Sequence, residues 1–376
     1  MDVHDKAFYT LSPQQRCGKG DHGRVIGPED FLHRPKPIAN LTGGRDSMNK
    51  PEGAPGPFER LQALLADDLT RVNDLIAARM ASEHAPRIPE VTAHLVQAGG
   101  KRLRPLLTLA AARMMGYEGE DHIRLAATVE FIHTATLLHD DVVDESTQRR
   151  GRPTANLLWD NPSSVLVGDY LFARSFQLMV ETGQLRVLSI LSNAAAVIAE
   201  GEVLQLSAAQ NTKTGEDVYQ TVIRGKTAAL FAAATEVGGV IAAAQEAEIA
   251  ALRDYGDALG ISFQIVDDLL DYGGVSGLMG KNTGDDFRER KMSLPVIRAF
   301  AAADAEERAF WVRVIDKGDQ RDGDFDAARA MMDRHGALAS TRDTALARAA
   351  DAKAALGGLP DHPLRDLLSE IADFVV

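Results

Sequence analysis

The sequence has one cysteine, no long apolar run and fewer basic than acidic residues. The single cysteine, Cys17, excludes a disulfide framework and a cysteine-based zinc site, which is consistent with a reducing compartment. No apolar run approaches the ~20 residues of a membrane-spanning helix, and the first residues lack the apolar core of a signal peptide. The formal charge of -13 argues against a nucleic-acid partner, which would favour a basic surface. We therefore expect a cytoplasmic protein without a membrane anchor.

Alternating β-branched runs are also missing, so no strand is predicted. Residues 1–57 hold seven of the fifteen prolines without sustained apolar periodicity, which predicts a low-complexity, disordered extension. From Phe58 onward apolar residues recur at helical spacing, which predicts one all-α domain over 58–376. Further predicted helices are 88–98, 103–115, 121–144, 163–182, 185–209, 216–243, 247–272, 293–317, 323–335, 338–355 and 362–374. The segment 123–138 is apolar or small almost all round, so its helix is predicted to be buried.

An acidic cluster closes that buried helix, in the stretch "LLHDDVVDESTQRRGRPTA". Asp140 and Asp144 lie one helical turn apart, with Asp141 about 100° round. Like charges at that spacing destabilise a helix by roughly 0.2–0.5 kcal/mol per pair. Gly151 and Pro153 follow closely, so the aspartates lie near a helix C-terminus, where the macrodipole disfavours anions. The cluster costs local stability, which points to a ligand.

The same D-D-x-x-D spacing recurs in "FQIVDDLLDYGG", as Asp267, Asp268 and Asp271. One such cluster alone could be a solvated helix end, but two copies that each close a buried helix favour a shared ligand. Carboxylates suit a hard cation, and Mg²⁺ fits best because it takes one or two of them together with waters and substrate phosphates. No Cys or His set has zinc spacing. The sequence therefore predicts a magnesium site that holds a polyphosphate.

Basic residues recur beside glycine in "GGKRLRP" (99–105), "RRGRP" (149–153), "VIRGKTAALF" (222–231) and "GKNTGDDFRERK" (280–291). Each segment alone reads as a surface patch. Together with the acidic motifs they suit a second diphosphate bound without metal, because arginine forks match phosphate oxygens.

These motifs, in this order, resemble those of the trans-isoprenyl diphosphate synthases, the polyprenyl synthetase family. The likeness runs from about Phe58 to the C-terminus. "FIHTATLLHDDVVDESTQRRGRPTAN" is especially similar to the long-chain bacterial enzymes that make the octaprenyl or decaprenyl tail of ubiquinone. The resemblance implies a helical bundle of the isoprenoid synthase type with a central cavity, a homodimer, and transient membrane contact through an apolar product.

The resemblance also implies roles for individual residues. Both aspartate motifs would bind Mg²⁺, about three ions per site when substrate is bound. The positions that match the isopentenyl diphosphate site are Lys101, Arg104, His133 and Arg150. Those around the allylic diphosphate are Arg149, Lys226, Thr227, Gln264 and Lys281. One departure is the pattern G-K-x-x-G-x-D-L-x-x-G-K, where this chain has Phe287 for leucine and Arg290 for the second glycine.

The implied reaction is head-to-tail prenyl transfer. The aspartate-bound metal and Lys226 would stabilise the departing diphosphate, and the allylic cation would be attacked by the double bond of isopentenyl diphosphate. No side chain is an obvious general base, so the released diphosphate is the expected proton acceptor. Product length is expected to depend on Ala135 and Thr136, which lie one turn before Asp140. Both are small where short-chain members have aromatics, which predicts a product of about eight to ten isoprene units.

Other classes fit less of the sequence. A phosphohydrolase with a His-Asp dyad would explain "LLHDD" but not the second motif. In a terpene cyclase the basic residues for a second diphosphate would have no role. A non-catalytic subunit of a heteromeric synthase would tend to lose one aspartate motif, and this chain keeps both. A shorter-chain synthase, making farnesyl or geranylgeranyl diphosphate, stays open.

Overall fold

The computed structural model describes residues 55–97, 99–273 and 284–376, all within one compact unit of the chain. The predicted all-α fold is confirmed. The first helices are α1 Pro57–Leu64, α2 Ala66–Met80, α3 Arg87–Gln97, α4 Leu103–Met114, α5 Asp121–Val143, α6 Ala155–Leu158, α7 Asn161–Glu181 and α8 Leu185–Ala208. The next are α9 Glu216–Ile223, α10 Ala229–Ile241, α11 Glu246–Tyr272, α12 Asp285–Arg288, α13 Leu294–Ala302 and α14 Ala305–Trp311. The last are α15 Asp324–Arg334, α16 Ala337–Ala355 and α17 Pro363–Val375.

The predicted extension lies outside the described residues up to residue 54. Helix α1 begins at Pro57, a residue whose fixed φ favours the first helical turn. The helical pattern from Phe58 to Ile76 divides at Leu65, which ends α1 and precedes α2.

Helix α5 is the buried centre of the fold, as its sequence predicts. Every residue from Leu125 to Ile132 is buried, because α2, α4, α7 and α10 pack around it. Helix α11 packs in turn against α10 and α16. Both helices run from a buried segment to an aspartate motif at the C-terminal end, so the packing of the core fixes where the motifs lie.

The predicted helix 293–317 is wrong as a single element. It divides into α13, α14 and a π-helical turn, Val312–Asp316. The break comes from Asp304, whose side chain accepts hydrogen bonds from the backbone of Glu306 and Glu307 at 2.9 and 3.0 Å. Glu307 bonds back to the Asp304 backbone and completes a capping box.

A short hairpin follows α5, although no strand or hairpin was predicted. Strand β1, Gln148–Arg149, pairs antiparallel with β2, Arg152–Pro153. The two turn residues between them, Arg150 and Gly151, have positive φ values of 53° and 72°, which two-residue hairpin turns favour. Strands of two residues are too short to give a period-2 pattern, so sequence periodicity does not reveal them.

Candidate active site

The first aspartate motif lies at the C-terminal end of α5. Asp144 is the C-cap residue, and its backbone N–H donates to the Asp140 carbonyl at 2.8 Å. The side chain of Asp141 is fully buried. The three carboxylates therefore occupy the position that the sequence predicts, where the helix dipole gives them no support.

Asp141 is paired with Arg149, which the hairpin brings back toward α5. The Arg149 Nε and Nη2 atoms lie 2.9 and 2.8 Å from Asp141 Oδ1. Burial raises the pKa of Asp141 and the guanidinium opposes the rise. Among the described residues Asp141 Oδ2 is buried without a hydrogen-bond partner. An orphaned buried carboxylate oxygen is the kind of acceptor that a metal or its waters would satisfy.

Asp140 lies close to Lys226 and Glu202. Both carboxylate oxygens of Glu202 are 2.9 Å from Lys226 Nζ. Burial raises the pKa of Asp140 to about 7; Lys226 opposes this and Glu202 adds to it. Burial by itself lowers the pKa of Lys226, but Asp140 and Glu202 outweigh it, so the net pKa is raised and the ammonium stays charged.

Lys226 belongs to a π-helical turn, Arg224–Ala228, inserted between α9 and α10. The turn packs backbone to backbone against α8, because a Cβ on Gly201 would lie 2.7 Å from the Lys226 backbone nitrogen. A Cβ on Gly225 would likewise lie 2.9 Å from the Gly201 Cα. Only glycines permit this approach. The predicted helix 216–243 is therefore interrupted by a π turn at Lys226. Such π turns within helices often occur at functional sites.

In the second motif, Asp268 and Asp271 accept hydrogen bonds from neutral donors. Asp268 is almost fully buried and accepts hydrogen bonds from Tyr219 Oη at 2.6 Å and Gln264 Nε2 at 2.9 Å. Gln264 Oε1 in turn accepts from the Thr227 hydroxyl at 2.7 Å. Burial raises the pKa of Asp268 to about 6, and the two donors limit the rise. Thr227, Gln264, Asp268 and Tyr219 therefore form one hydrogen-bonded chain, named here the Tyr219 relay. Asp267 directly precedes Asp268 on α11.

Asp271 caps the following segment. Its carboxylate accepts from the backbone N–H groups of Gly284, Asp285 and Asp286 at 3.1, 3.1 and 3.0 Å. These are the first donors of α12, which a carboxylate stabilises. Burial raises the pKa of Asp271 and these bonds oppose the rise.

Lys291 lies between the two motifs. Its Nζ is 3.8 Å from Asp144 Oδ2 and 3.6 Å from Asp286 Oδ1, and it also pairs with Glu289. Burial raises the pKa of Asp286 to about 8, against the influence of Lys291. Lys291 therefore links the first motif to α12, and its charge also lowers the pKa of Asp268 in the second motif.

The departures from the family pattern also have a structural reading. Phe287 is buried in the core beside α13, where an apolar side chain larger than leucine is accommodated. Arg290 has a φ of 58°, a conformation that favours the glycine of the pattern. Lys281 lies outside the described residues.

Three of the predicted anion-binding residues, His133, Arg149 and Arg150, line one pocket. The pocket is lined by Leu95, Arg102, Glu130, His133, Thr134, Leu137, Arg149 and Arg150. Arg104 Nη1 lies 3.2 Å from His133 Nε2, and Glu130 pairs with Arg102. Burial and the surrounding arginines hold the pKa of His133 well below its usual range, so the neutral ring can accept from Arg104. The pocket is therefore strongly positive and suits a diphosphate.

Lys101 is set apart from this pocket. It is exposed, and its ammonium lies 5.6 Å from the ring centroid of Phe374. Arg104, in contrast, stacks 4.5 Å from the ring centroid of Phe231, and burial lowers its pKa to about 10.

The two residues predicted to set product length lie one turn below Asp140. Ala135 is fully buried in the main core. The Thr136 hydroxyl donates to the His133 carbonyl at 2.8 Å. A bulky side chain at Ala135 would therefore have to displace its neighbours.

No three acidic, His or Cys side chains converge into a preformed metal site within 55–97, 99–273 and 284–376.

Sequence reasoning missed four residues of the site: Glu130, Glu202, Tyr219 and Asp286. Glu130 had a usable signal, since an acid within the apolar segment 123–138 needs a cation partner. Asp286 could also have been found from the sequence, because it lies in the segment 280–291 that contains Lys281. Glu202 and Tyr219 come from helices whose approach depends on tertiary packing, and no local pattern marks them.

The chain is similar to known proteins over most of its length. The polyprenyl synthetase family matches residues 85–332. The octaprenyl diphosphate synthase of Escherichia coli K12 is 43% identical over 319 residues, 85% of this chain and 98% of that protein. A decaprenyl diphosphate synthase structure from Rhodobacter capsulatus is 70% identical with a TM-score of 0.83, over 85% of this chain and 98% of that one. A polyprenyl synthase from Caulobacter crescentus CB15, complexed with calcium and isoprenyl diphosphate, is 51% identical with a TM-score of 0.82, over 85% and 97%.

Proposed function

Because the chain belongs to the polyprenyl synthetase family, we propose that it is a Mg²⁺-dependent enzyme that condenses isopentenyl diphosphate units head-to-tail onto an allylic diphosphate. The product would be an all-trans polyprenyl diphosphate of about C40–C50 for a quinone side chain. The enzyme class, a polyprenyl diphosphate synthase that transfers prenyl groups, follows from the family and its relatives. The observation that supports the finer proposal is that Lys291 lies beside both the first aspartate motif and α12, while an arginine-lined pocket shares Arg149 with the first motif.

Mg²⁺ would be held by the two aspartate motifs. On the first, Asp140 and Asp144 are the foremost ligands, because Asp141 is already paired with Arg149 through one oxygen. On the second, Asp267, Asp268 and Asp271 would contribute, with Asp268 and Asp271 also fixed by neutral donors. When bound, Mg²⁺ would act as a Lewis acid on the leaving diphosphate. The calcium ion named for the Caulobacter crescentus structure supports a divalent cation with oxygen ligands.

The residues around the motifs would bind the two diphosphates. Arg104, Arg150 and the neutral His133 would hold isopentenyl diphosphate at the positive pocket. Lys101 matches the same site in the family pattern, although it is set apart from the pocket in this structure. Lys226, Arg149 and Lys281 would supply fixed positive charge to the allylic diphosphate. Thr227 and Gln264 would present oxygen dipoles to the allylic cation, and the released diphosphate would take the proton.

The decisive experiment is an assay of the purified chain alone, with Mg²⁺, farnesyl diphosphate and labelled isopentenyl diphosphate, followed by product sizing. We expect all-trans products near C40–C50. Products of C15–C20 would indicate a short-chain synthase, and no product without a second subunit would indicate a heteromeric enzyme. Release of phosphate or a cyclic hydrocarbon instead would indicate a hydrolase or a cyclase.

Product length provides a second test. Ala135→Tyr places an aromatic ring in a fully buried position one turn below Asp140, so it should shorten the product toward C15–C20. Thr136→Ala, which keeps the position small, is the matched control and should leave long products. An unchanged distribution for Ala135→Tyr would remove this residue from the product channel.

A homodimer is also part of the proposal. Helices α7 and α8 expose large apolar side chains along one stripe each, including Leu166 and Phe176 on α7 and Val203 and Leu206 on α8. By length and composition α8 could cross a membrane, as could a packed helix of a soluble protein, and only 28% of its apolar window is buried. Polar residues such as Glu200 lie within this face, which favours a second copy as its cover. Light scattering should give a dimer mass, and Leu166→Glu should lower it.

The cytoplasm, with transient membrane contact during product release, is the proposed location. The single cysteine supports a reducing compartment, and the apolar product supports contact with lipid. Fractionation of cells that express the full chain would test this.

A further inference from the structure

Lys226, the proposed ligand of the allylic diphosphate, is ion-paired with Glu202 in the structure. Both Glu202 oxygens lie 2.9 Å from Lys226 Nζ, and the two side chains are only 23% and 22% exposed. We propose that Glu202 is a positioning residue that aligns Lys226 and competes with the diphosphate for its ammonium. This inference rests on the proposed function of Lys226.

A close backbone contact between α8 and the π turn places Glu202 next to Lys226. Glu202 follows Gly201 on α8, and Lys226 follows Gly225 in the π turn, so each member comes directly after one of the two glycines that touch. The backbone distance between α8 and the turn is therefore fixed by the absence of two Cβ atoms. The short backbone distance keeps the two side chains within reach of each other.

The charges explain what the pair does. An ammonium that is largely removed from water needs a counter-charge, and Glu202 supplies one at hydrogen-bond distance. A bound diphosphate needs the same ammonium and is repelled by the same carboxylate. Glu202 therefore weakens diphosphate binding, and a weaker affinity at one site is mostly a faster dissociation. Each condensation leaves one inorganic diphosphate behind, so a residue that weakens its retention shortens the delay before the next cycle.

Binding of inorganic diphosphate in the presence of Mg²⁺, measured by calorimetry while isopentenyl diphosphate fills the arginine-lined pocket, tests this inference. Glu202→Gln keeps an oxygen acceptor for Lys226 but removes the charge. We expect it to bind diphosphate about tenfold more tightly than the native chain. Glu118→Gln is the matched control. Glu118 is exposed and precedes α5, about 30 Å from the motif at the other end of that helix. Its affinity should change less than about twofold.

The sign of the effect separates this inference from a merely structural role, which would weaken binding and lower the melting temperature together. Unchanged or weaker binding by Glu202→Gln, with Lys226→Gln at least about tenfold weaker than the native chain, would overturn the inference while keeping Lys226 in the diphosphate site. If Lys226→Gln binds as the native chain does, the proposed role of Lys226 fails and Glu202 loses its function with it. Should Glu202→Gln fold poorly, Glu202→Asp retracts the carboxylate by one methylene and should still bind diphosphate more tightly.

Discussion

The two aspartate motifs have the same spacing but different surroundings. Asp140 and Asp141 are opposed by the charged side chains of Lys226 and Arg149. Asp268 and Asp271 are instead satisfied by a tyrosine hydroxyl, an amide and backbone N–H groups. Charged partners can be exchanged for a metal or a phosphate, whereas several directional hydrogen bonds fix a carboxylate in place. We therefore expect the carboxylates of the first motif to exchange their cationic partners for a metal ion, and Asp268 and Asp271 of the second motif to keep a fixed position.

The largest effect should come from the first motif. Asp140→Ala is expected to reduce turnover by about 10³-fold at saturating Mg²⁺, because it removes a foremost metal ligand. Its melting temperature should not fall, since burial of the ionised carboxylate is itself unfavourable. Steady-state kinetics and thermal unfolding measure the two. Retained turnover would mean that the first motif does not bind the catalytic metal.

The second motif should respond in stability as well as in activity. Asp271→Ala leaves three backbone donors of α12 without their acceptor, which should cost about 1–2 kcal/mol and lower the melting temperature by a few degrees. Turnover should fall by about tenfold as Lys291 loses its alignment. Asp257→Ala, on the same helix but paired with the more exposed Arg224, is the control. Equal losses in both variants would contradict the capping role.

A smaller effect is expected from the Tyr219 relay. Tyr219→Phe removes one hydrogen bond to the Asp268 carboxylate, so kcat should fall by about three- to tenfold with little change in KM for the allylic diphosphate. Tyr255→Phe is the control, because that hydroxyl is equally buried but donates to the Leu368 carbonyl. The idea fails if Tyr255→Phe lowers kcat as much as Tyr219→Phe does.

The smallest effect should be a slope of stability with pH. The folded-state pKa values of Asp140, Asp268 and Asp286 are raised to about 7, 6 and 8. The folded chain then binds more protons than the unfolded chain between about pH 4 and 8, so stability falls as pH rises through that window. Metal-free protein should melt a few degrees lower at pH 8 than at pH 5, and Mg²⁺ with inorganic diphosphate should flatten the slope. A melting temperature that rises over this range would contradict these shifts.

The long helices were predictable because their apolar periodicity is strong. The prediction 121–144 matches α5 (Asp121–Val143), and 247–272 matches α11 (Glu246–Tyr272). The division of 293–317 was also readable, since Asp304 and Glu307 have the spacing of a capping box. The π turn at Arg224–Ala228 was not, because it depends on α8 approaching at Gly201.

The site was predictable where residues are adjacent in sequence and hidden where packing brings them together. The aspartates of each motif are found from their spacing alone. Glu202 and Lys226 are 24 residues apart, and Tyr219 and Asp268 are 49 apart. No periodicity encodes those distances, because they are set by how α8, α9 and α11 pack.

From Thr227 to Asp268, the hydrogen bonds of the Tyr219 relay all donate toward Asp268. Thr227 gives its only proton to Gln264, and the Gln264 amide gives one of its protons to Asp268. A half turn of the amide would place its oxygen against the Asp268 carboxylate, so that two acceptors would face each other. The Thr227 hydroxyl oxygen is thus left with lone pairs and no proton to donate elsewhere. The Thr227 oxygen can therefore stabilise a carbocation through its lone pairs, but it has no proton to donate to the oxygen of the leaving diphosphate.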